Sequence, residues 1–200
     1  MGPTEICNMA LARLGAKRIN NYDDASNTKV EAIQCRLFYE QTAKALMRSH
    51  WWRFAKRQAQ LSADTDTPTF QWTYSYELPN DFLRLICFFD DSDYPDGRTH
   101  YTYELMGTKL YTDQTAVYLK YVAWVDEEAA WDPLFVEVMV LSLAKKLIVP
   151  LSLDLKLKED INKDLEPLMR QVRALDRQEQ EIIGRFSLRT WEDARYQDTA

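Results

Sequence analysis

The chain has 200 residues, of which 46% are hydrophobic and 28% are charged, and its formal net charge is −6. This is enough chain for one substantial hydrophobic core, alone or with a small lobe, and it excludes disorder throughout. No apolar run approaches the roughly 20 residues that span a bilayer and no signal-peptide pattern is visible, so we expect assembly in the cytosol without a membrane partner.

Charge is distributed unevenly along the chain. Residues 1–61 carry 10 Lys and Arg against 5 Asp and Glu, residues 62–132 carry 4 against 14, and residues 133–200 carry 11 against 12. The opposite charges either satisfy each other within one subunit or let the basic helical face of one subunit meet an acidic neighbour. The sequence leaves both interpretations open.

The first segment predicts two helices and an aromatic segment. Ile6, Met9, Ala10 and Leu14 have helical spacing, and Gly15 is the residue type that ends a helix. Thr28 and Glu31 form a predicted capping box for the second helix. Its predicted apolar stripe consists of Val30, Ile33, Leu37, Phe38, Ala45 and Leu46. The aromatic residues that follow, together with one from the next segment, form a predicted aromatic lock: Trp51, Trp52, Phe54 and Trp72.

The middle of the chain predicts strands. Residues 70–78 alternate aromatic or apolar with polar residues, which favours a half-buried strand, and further strands are expected at 85–89, 101–106, 109–112 and 117–122. We expect one small antiparallel sheet. Its many tyrosines suit either a stacking platform for single-stranded nucleic acid or a core and subunit interface, and the acidic charge of the segment favours the latter.

The last third predicts two helices and a tail. Asp132 and Pro133 are a start signal for a helix that is apolar nearly all round up to Pro150, so this helix should be central. A charged helix opens at Asp154, kinks at Pro167 and closes at Gly184. The predicted fold class is therefore α+β: a bundle of about four helices from 1–61 and 131–184, a β-rich insertion at 62–130, and an extended C-terminal tail at 185–200.

Little in the sequence points to chemistry. Cys7, Cys35 and Cys87 lack histidines at ligand spacing and are interpreted as buried small hydrophobes, not as a zinc site or a disulfide framework. His50 is interpreted as a capping or packing residue and His100 as solvated. The sequence contains no P-loop, dinucleotide fingerprint, nucleophile elbow or metal-binding helix, so we expect no catalytic, cofactor-binding or metal-binding residues.

Several residues carry a likeness to a known family. They are Ala10-Leu11, Leu14-Gly15, Ile19, Ala32, Cys35, Tyr39, Leu46, Trp52-Arg53-Phe54-Ala55-Lys56-Arg57, Trp72, Pro79-Asn80-Asp81-Phe82-Leu83-Arg84, Tyr103, Gly107, Leu110-Tyr111-Thr112 and Ala174-Leu175-Asp176-Arg177-Gln178-Glu179. Their order resembles the phage head-to-tail adaptor proteins of short-tailed phages, also called tail tubular protein A or head completion proteins. The likeness weakens around residues 90–99 and over the last residues.

The resemblance implies a structural protein of the virion neck. Such a protein forms a homo-oligomeric ring, usually dodecameric, between the portal protein and the tail nozzle or next tail component. It retains the packaged genomic DNA, which passes through the lumen without sequence reading. The tail of the chain would reach the portal, with Phe186, Arg189, Trp191, Arg195 and Tyr196 as portal-interface candidates. Alternatively, the tail folds back on its own subunit.

Two other functions are kept as alternatives. One is a cell-wall (peptidoglycan) hydrolase carried in the virion, because such activity has been proposed for relatives of the family. The carboxylate pairs Asp90-Asp91 and Glu127-Glu128 lie in predicted turns and do not establish the facing carboxylates that glycoside hydrolysis needs. The other is a DNA-binding module, which predicts salt-sensitive affinity for DNA.

Overall fold

A computed structural model of the chain describes residues 1–90, 102–151 and 155–178. These residues form four helices, α1 (Pro3–Arg13), α2 (Val30–Ser49), α3 (Pro133–Leu151) and α4 (Leu155–Gln178). They also form six strands, β1 (Lys56–Leu61), β2 (Tyr74–Glu77), β3 (Phe82–Phe89), β4 (Tyr103–Met106), β5 (Lys109–Thr112) and β6 (Val117–Ala123). The predicted α+β class with about four helices and antiparallel strands is confirmed. The predicted tail at 185–200, the helix end at Gly184 and His100 lie outside the described residues.

Helix α3 is the centre of the helical layer. The Asp132 carboxylate accepts the Leu134 N–H at 2.8 Å, which is the cap that the sequence predicted. The helix packs against α1, α2 and α4, so its apolar side chains are buried on several sides: Phe135, Val136, Val138, Met139, Val140, Leu141, Leu143, Ala144, Leu147 and Ile148. It ends at Leu151, one residue beyond Pro150, and α4 continues as one helix through Pro167.

Helix α1 ends as its sequence predicts. Gly15 has a φ of +64°, and the Ala16 N–H donates to the Leu11 carbonyl at 3.0 Å, which is the Schellman pattern. Ile6, Cys7, Ala10 and Leu11 lie on its buried face. After the turn, the Asn8 side chain bonds both the N–H and the C=O of Ile19, so the chain is held against the helix before it enters α2.

Helix α2 buries the opposite side from the one predicted. Val30, Ile33, Leu37 and Ala45 are exposed, Phe38 is half-buried, and only Leu46 of the predicted stripe is in the core. The buried face consists of Ala32, Cys35, Tyr39, Thr42, Ala43, Leu46 and Met47. Two residues turn a helix by about 200°, so the two sets lie nearly back to back. The predicted capping box is also absent from this described helix end: Lys29 is at the N-cap, and its N–H donates to the Asn27 side chain at 3.2 Å.

Strands β1, β6 and β3 form an antiparallel sheet in that order, here called the inner sheet. Strand β1 lies at the end of residues 1–61, which the sequence predicts to belong to the helical bundle. It pairs with β6 instead, so the predicted helical segment is too long. The inner sheet is buried on both faces: Val122 joins the helical core, whereas Leu119 and Tyr121 join a second core. Along β3, Phe82, Leu85 and Phe88 all join that second core, because two register shifts replace the strict alternation of a strand.

Strands β2, β5 and β4 form a second antiparallel sheet, the outer sheet, and its Tyr76 and Leu110 close the second core. The described residues therefore form three layers: helices, inner sheet and outer sheet. The expectation of one sheet was wrong. The expected strand 70–78 is also shortened to Tyr74–Glu77, because Gln71 has a φ of +71° and the Trp72 N–H donates to the Phe70 carbonyl at 2.9 Å in a tight turn.

Candidate functional site

A chain of aromatic rings crosses the helical layer. The centroid of the Tyr22 ring lies 5.1 Å from that of the Tyr39 ring. The Tyr39 ring stacks on Trp131 with a centroid distance of 6.4 Å. Trp131 and Phe135 meet edge to face with a centroid distance of 5.2 Å, and Phe135 and Trp52 meet in the same way at 5.0 Å. Edge-to-face and offset contacts of this kind add to the stability from burial. They join the loop after α1, helix α2 and helix α3 into one rigid unit.

The predicted aromatic lock is divided in the structure. Trp52 is 1% exposed, its indole N–H donates to the Leu46 carbonyl at 2.9 Å, and Phe54 packs beside it on Phe135 at 4.9 Å. Trp51 is instead 42% exposed, and the Arg84 guanidinium lies 5.9 Å from its ring centre. Trp72 lies in the loop before β2, where its indole N–H donates to Glu104 at 3.1 Å. Trp52 and Phe54 are therefore together, and Trp72 belongs to the outer sheet.

The end of α2 is connected to the end of α4 by a buried polar pair. The His50 Nε2 atom lies 2.8 Å from the Asp176 Oδ2 atom, and the Arg53 N–H donates to Asp176 Oδ1 at 3.1 Å. The edge of the His50 ring meets Trp52 at 4.8 Å. His50 occupies the C-cap position of α2, in agreement with its interpretation as a capping or packing residue. Its partner Asp176 was not foreseen, because 126 residues separate the two.

A cavity of about 420 Å³ lies at this corner and is lined by Ser49, His50, Trp51, Arg84 and Arg177. Nearby, the Arg173 guanidinium donates to the Ser49 hydroxyl at 3.1 Å. Guanidinium groups beside an aromatic ring suit carboxylate-bearing or aromatic groups of a partner. This cavity lies where α4 leads into residues 179–200. The portal-interface candidates Phe186, Arg189, Trp191, Arg195 and Tyr196 are in that segment and lie outside the described residues.

The solvent face of α2 carries a stripe of apolar side chains, here called the α2 stripe and defined as Val30, Ile33 and Leu37. These three residues are 54%, 44% and 56% exposed. The Glu40–Lys44 ion pair lies one turn further along the helix, and the Lys44 ammonium is 5.2 Å from the Trp124 ring. An apolar centre with charged groups at its margin is typical of a protein–protein interface.

Two half-buried carboxylates, Glu128 and Asp81, accept structural hydrogen bonds from tyrosines. Glu128 accepts the Tyr39 hydroxyl at 3.1 Å, and Asp81 accepts the Tyr121 hydroxyl at 2.9 Å. Burial, reinforced by the charge of Glu128, raises the pKa of Tyr39 above its usual range. Burial, reinforced by the hydrogen bond to Asp81, raises the pKa of Tyr121 to about 12. Both tyrosines therefore stay neutral and act as donors.

The three cysteines of the chain differ in burial and do not belong to a metal-binding cluster within the described residues. Cys7 and Cys35 are fully buried thiols, and Cys87 is half-buried. The hydrogen bond to Cys35, together with burial, raises the pKa of the Cys7 thiol, so it remains protonated. Within residues 1–90, 102–151 and 155–178, no cluster of three or more His, Cys, Asp or Glu side chains is placed to bind a metal ion. No helix in the same ranges combines the length and apolarity needed to cross a bilayer.

No family model fits the chain, and no curated protein sequence matches it.

Proposed function

We propose that this chain is a head-to-tail adaptor of a phage particle, a structural protein without catalytic residues. In this proposal, copies of the chain form a ring below the portal protein, retain the packaged DNA and provide the platform for the tail nozzle or next tail component. The DNA passes through the lumen without sequence reading. The resemblance of residues such as Trp52, Phe54 and Gly107 to adaptor proteins suggests the family, and the α2 stripe is the structural observation that supports assembly.

The α2 stripe supports assembly because of the side on which it lies. Isolated apolar residues are common on protein surfaces, but three at helical spacing form a continuous strip that a partner helix or sheet can cover. The α2 stripe cannot enter the core of its own subunit, because the opposite face of α2 already contributes Ala32, Cys35 and Tyr39 to that core. A second protein surface is the partner that removes this strip from water.

The stripe is also held in a fixed geometry. Tyr39, on the opposite face of α2, is bonded to Glu128, packs on Tyr22 at a tilt of 54° and stacks on Trp131, so the helix is fixed by contacts from the loop after α1 and from the segment before α3. A surface that is rigid before binding loses little conformational entropy on association. Such preorganisation suits a particle joint, in which many identical contacts must form with the same geometry.

The test uses purified portal rings, electron microscopy and a matched pair of variants. The native chain should add a collar to the portal rings. Val30→Glu places a charge in the α2 stripe, and Val149→Glu makes the same change at a residue on α3 that is also 54% exposed. We expect Val30→Glu to abolish or strongly reduce the collar and Val149→Glu to preserve it, with both variants folded by circular dichroism.

Micrographs that show only isolated protomers beside bare portal rings, with the native chain in excess, would refute the adaptor proposal. The two alternatives are tested in parallel. Clearing of a suspension of purified cell walls by the native chain would favour the hydrolase. Salt-sensitive binding of duplex DNA by the isolated chain at low ionic strength would favour the DNA-binding module.

A further inference from the structure

The turn before β2 presents an exposed aromatic side chain on a fixed backbone. Phe70 is 78% exposed, the largest exposed fraction among the large hydrophobic residues of the described region. The next residue, Gln71, has a φ of +71°, a conformation that is strained for a residue with a side chain. Native contacts must hold this turn in place.

Three hydrogen bonds hold it. The Thr73 N–H and hydroxyl donate to Asp113 Oδ1 at 2.9 and 2.8 Å, and the Trp72 indole N–H donates to Glu104 at 3.1 Å. These bonds attach the turn to the outer sheet at the end of β5 and on β4. Phe70 is thus a rigid projection, which is the form in which an aromatic residue contributes most to an interface.

A groove of matching character lies on the helical layer. It is a depression of about 470 Å³ between α1 and α3. Its apolar lining consists of Met1, Met9, Ala12, Pro133, Val136 and Val140, and Arg13 and Glu137 supply its charged groups. A phenyl ring fits readily into a space of this size. The chain's own Phe70 does not fill it, because that side chain is exposed and is attached to the outer sheet.

The charges around the projection and the groove are complementary. Glu104 and Asp113 are bonded to the Phe70 turn, and Asp66 is an exposed carboxylate four residues before Phe70. Arg13 lines the groove at the end of α1, and Lys17 and Arg18 follow it in exposed positions of the next loop. Glu137 is a single opposing charge inside the groove. Opposite charges of this kind steer two copies into register more than they add affinity.

We infer that Phe70 of one copy inserts into the α1–α3 groove of a second copy, with the acidic surroundings of the turn facing Arg13, Lys17 and Arg18. The two surfaces are different parts of the molecule, so the contact is heterologous and propagates from copy to copy, and it forms a ring when its rotation closes. This contact rests on the proposed function, since it supplies the ring with a subunit interface, and it commits the groove to a second copy of this chain.

The experiment uses one variant for each half of the contact. Phe70→Ala removes the projection, and Ala12→Trp fills the groove from an exposed position on α1. Self-association is measured by sedimentation velocity over a concentration series, alone and with portal rings. Each variant alone should associate about 10- to 100-fold more weakly than the native chain, as expected for loss of an interface anchor.

Mixing the two variants makes the prediction specific. Ala12→Trp retains an intact projection and Phe70→Ala retains an intact groove, so a 1:1 mixture should form a dimer of two 23.5 kDa chains and stop there. A contact between two identical surfaces predicts no rescue on mixing. A second pair of variants tests the charges. Arg13→Glu and Asp66→Arg should each weaken association. The double variant should associate at least about tenfold more tightly than either single variant.

The outcomes separate this contact from the ring itself. If the native chain assembles, alone or on portal rings, and Phe70→Ala and Ala12→Trp assemble equally well, the contact is wrong and the adaptor proposal stands. If the native chain stays monomeric at every concentration and on portal rings, both fail. Loss of assembly in each single variant, with a capped dimer in the mixture and native circular dichroism throughout, supports the contact.

Discussion

The helical layer and the outer sheet are stabilised by different kinds of contact. In the helical layer, α3 is surrounded by apolar side chains, and the ring chain from Tyr22 to Trp52 fills the space around it. In the outer sheet, polar pairs lie along the surface: Lys109 with Asp64 at 2.8 Å, Ser75 with Asp64 at 2.7 Å, and Thr73 with Asp113. The inner sheet contacts both.

The difference predicts where each layer is sensitive. Stability from apolar burial does not depend directly on ionisation, and it falls sharply when buried volume is removed. Stability from exposed ion pairs and hydrogen bonds is small for each contact and depends on ionisation. The helical layer should therefore respond to truncation of large side chains, and the outer sheet should respond to the pH of the solution.

The largest expected effect is in the helical layer. Trp52→Ala removes a fully buried indole together with its N–H hydrogen bond to the Leu46 carbonyl, so the free energy of unfolding should fall by about 3–5 kcal/mol. Urea unfolding followed by circular dichroism measures this. The control is Trp51→Ala, whose ring is 42% exposed and should cost less than about 1 kcal/mol. Equal losses in the two variants would show that the corner is not organised around Trp52.

Parts of the helical layer were predictable because the signals are local. The Asp132-Pro133 pair indicated the start of α3, its apolar sequence indicated burial, and Gly15 indicated the end of α1; all three are confirmed. The side of α2 that enters the core was not predictable from local signals. Val30, Ile33 and Leu37 are more apolar than Ala32 and Cys35, so periodicity selected the wrong face. The buried face has small residues that let α3 approach closely, which is a tertiary effect.

The β-rich part shows the same limit. Strand β1 is largely polar, with the sequence Lys56-Arg57-Gln58-Ala59-Gln60-Leu61, and it pairs with β6, about 60 residues later. The pairing of β2 with β5 is also non-local, so the sequence could not show that the strands divide into two sheets. The same reason applies to the His50–Asp176 pair and to the groove between α1 and α3: each joins distant segments that carry no local motif.

The next largest effect is the pH dependence of stability that comes from Tyr121 in the second core. The pKa of Tyr121 is raised from 10.0 to about 12, because burial and the bond to Asp81 favour the neutral phenol. A raised pKa in the folded state means that this stabilisation is fully present below pH 10 and is lost as the pH rises through about 12. The linked loss is about 2–3 kcal/mol.

Urea unfolding at a series of alkaline pH values measures this loss. In Tyr121→Phe, the free energy of unfolding should start about 1 kcal/mol lower at neutral pH and should then decline less steeply above pH 10. The pKa of Tyr22 is also raised, to about 12, and Tyr22 is unchanged in the variant, so the difference between the two curves isolates Tyr121. Parallel curves would mean that Tyr121 ionises without opposing the fold.

The smallest effect is an acid response confined to the outer sheet. Hydrogen bonds from Lys109 and Ser75 hold the pKa of Asp64 below its ordinary value of 3.8. A lowered pKa in the folded state means that the stabilisation is present above 3.8 and is lost as the pH falls through the folded value. Hydrogen exchange at β5 amides should show Asp64→Asn less protected than the native chain at neutral pH, with the difference narrowing in acid. Asp66→Asn, at an exposed carboxylate two residues away, is the matched control and should leave β5 unchanged. A difference that persists undiminished at low pH would mean that the Asp64 pair acts through its shape and not through its charge.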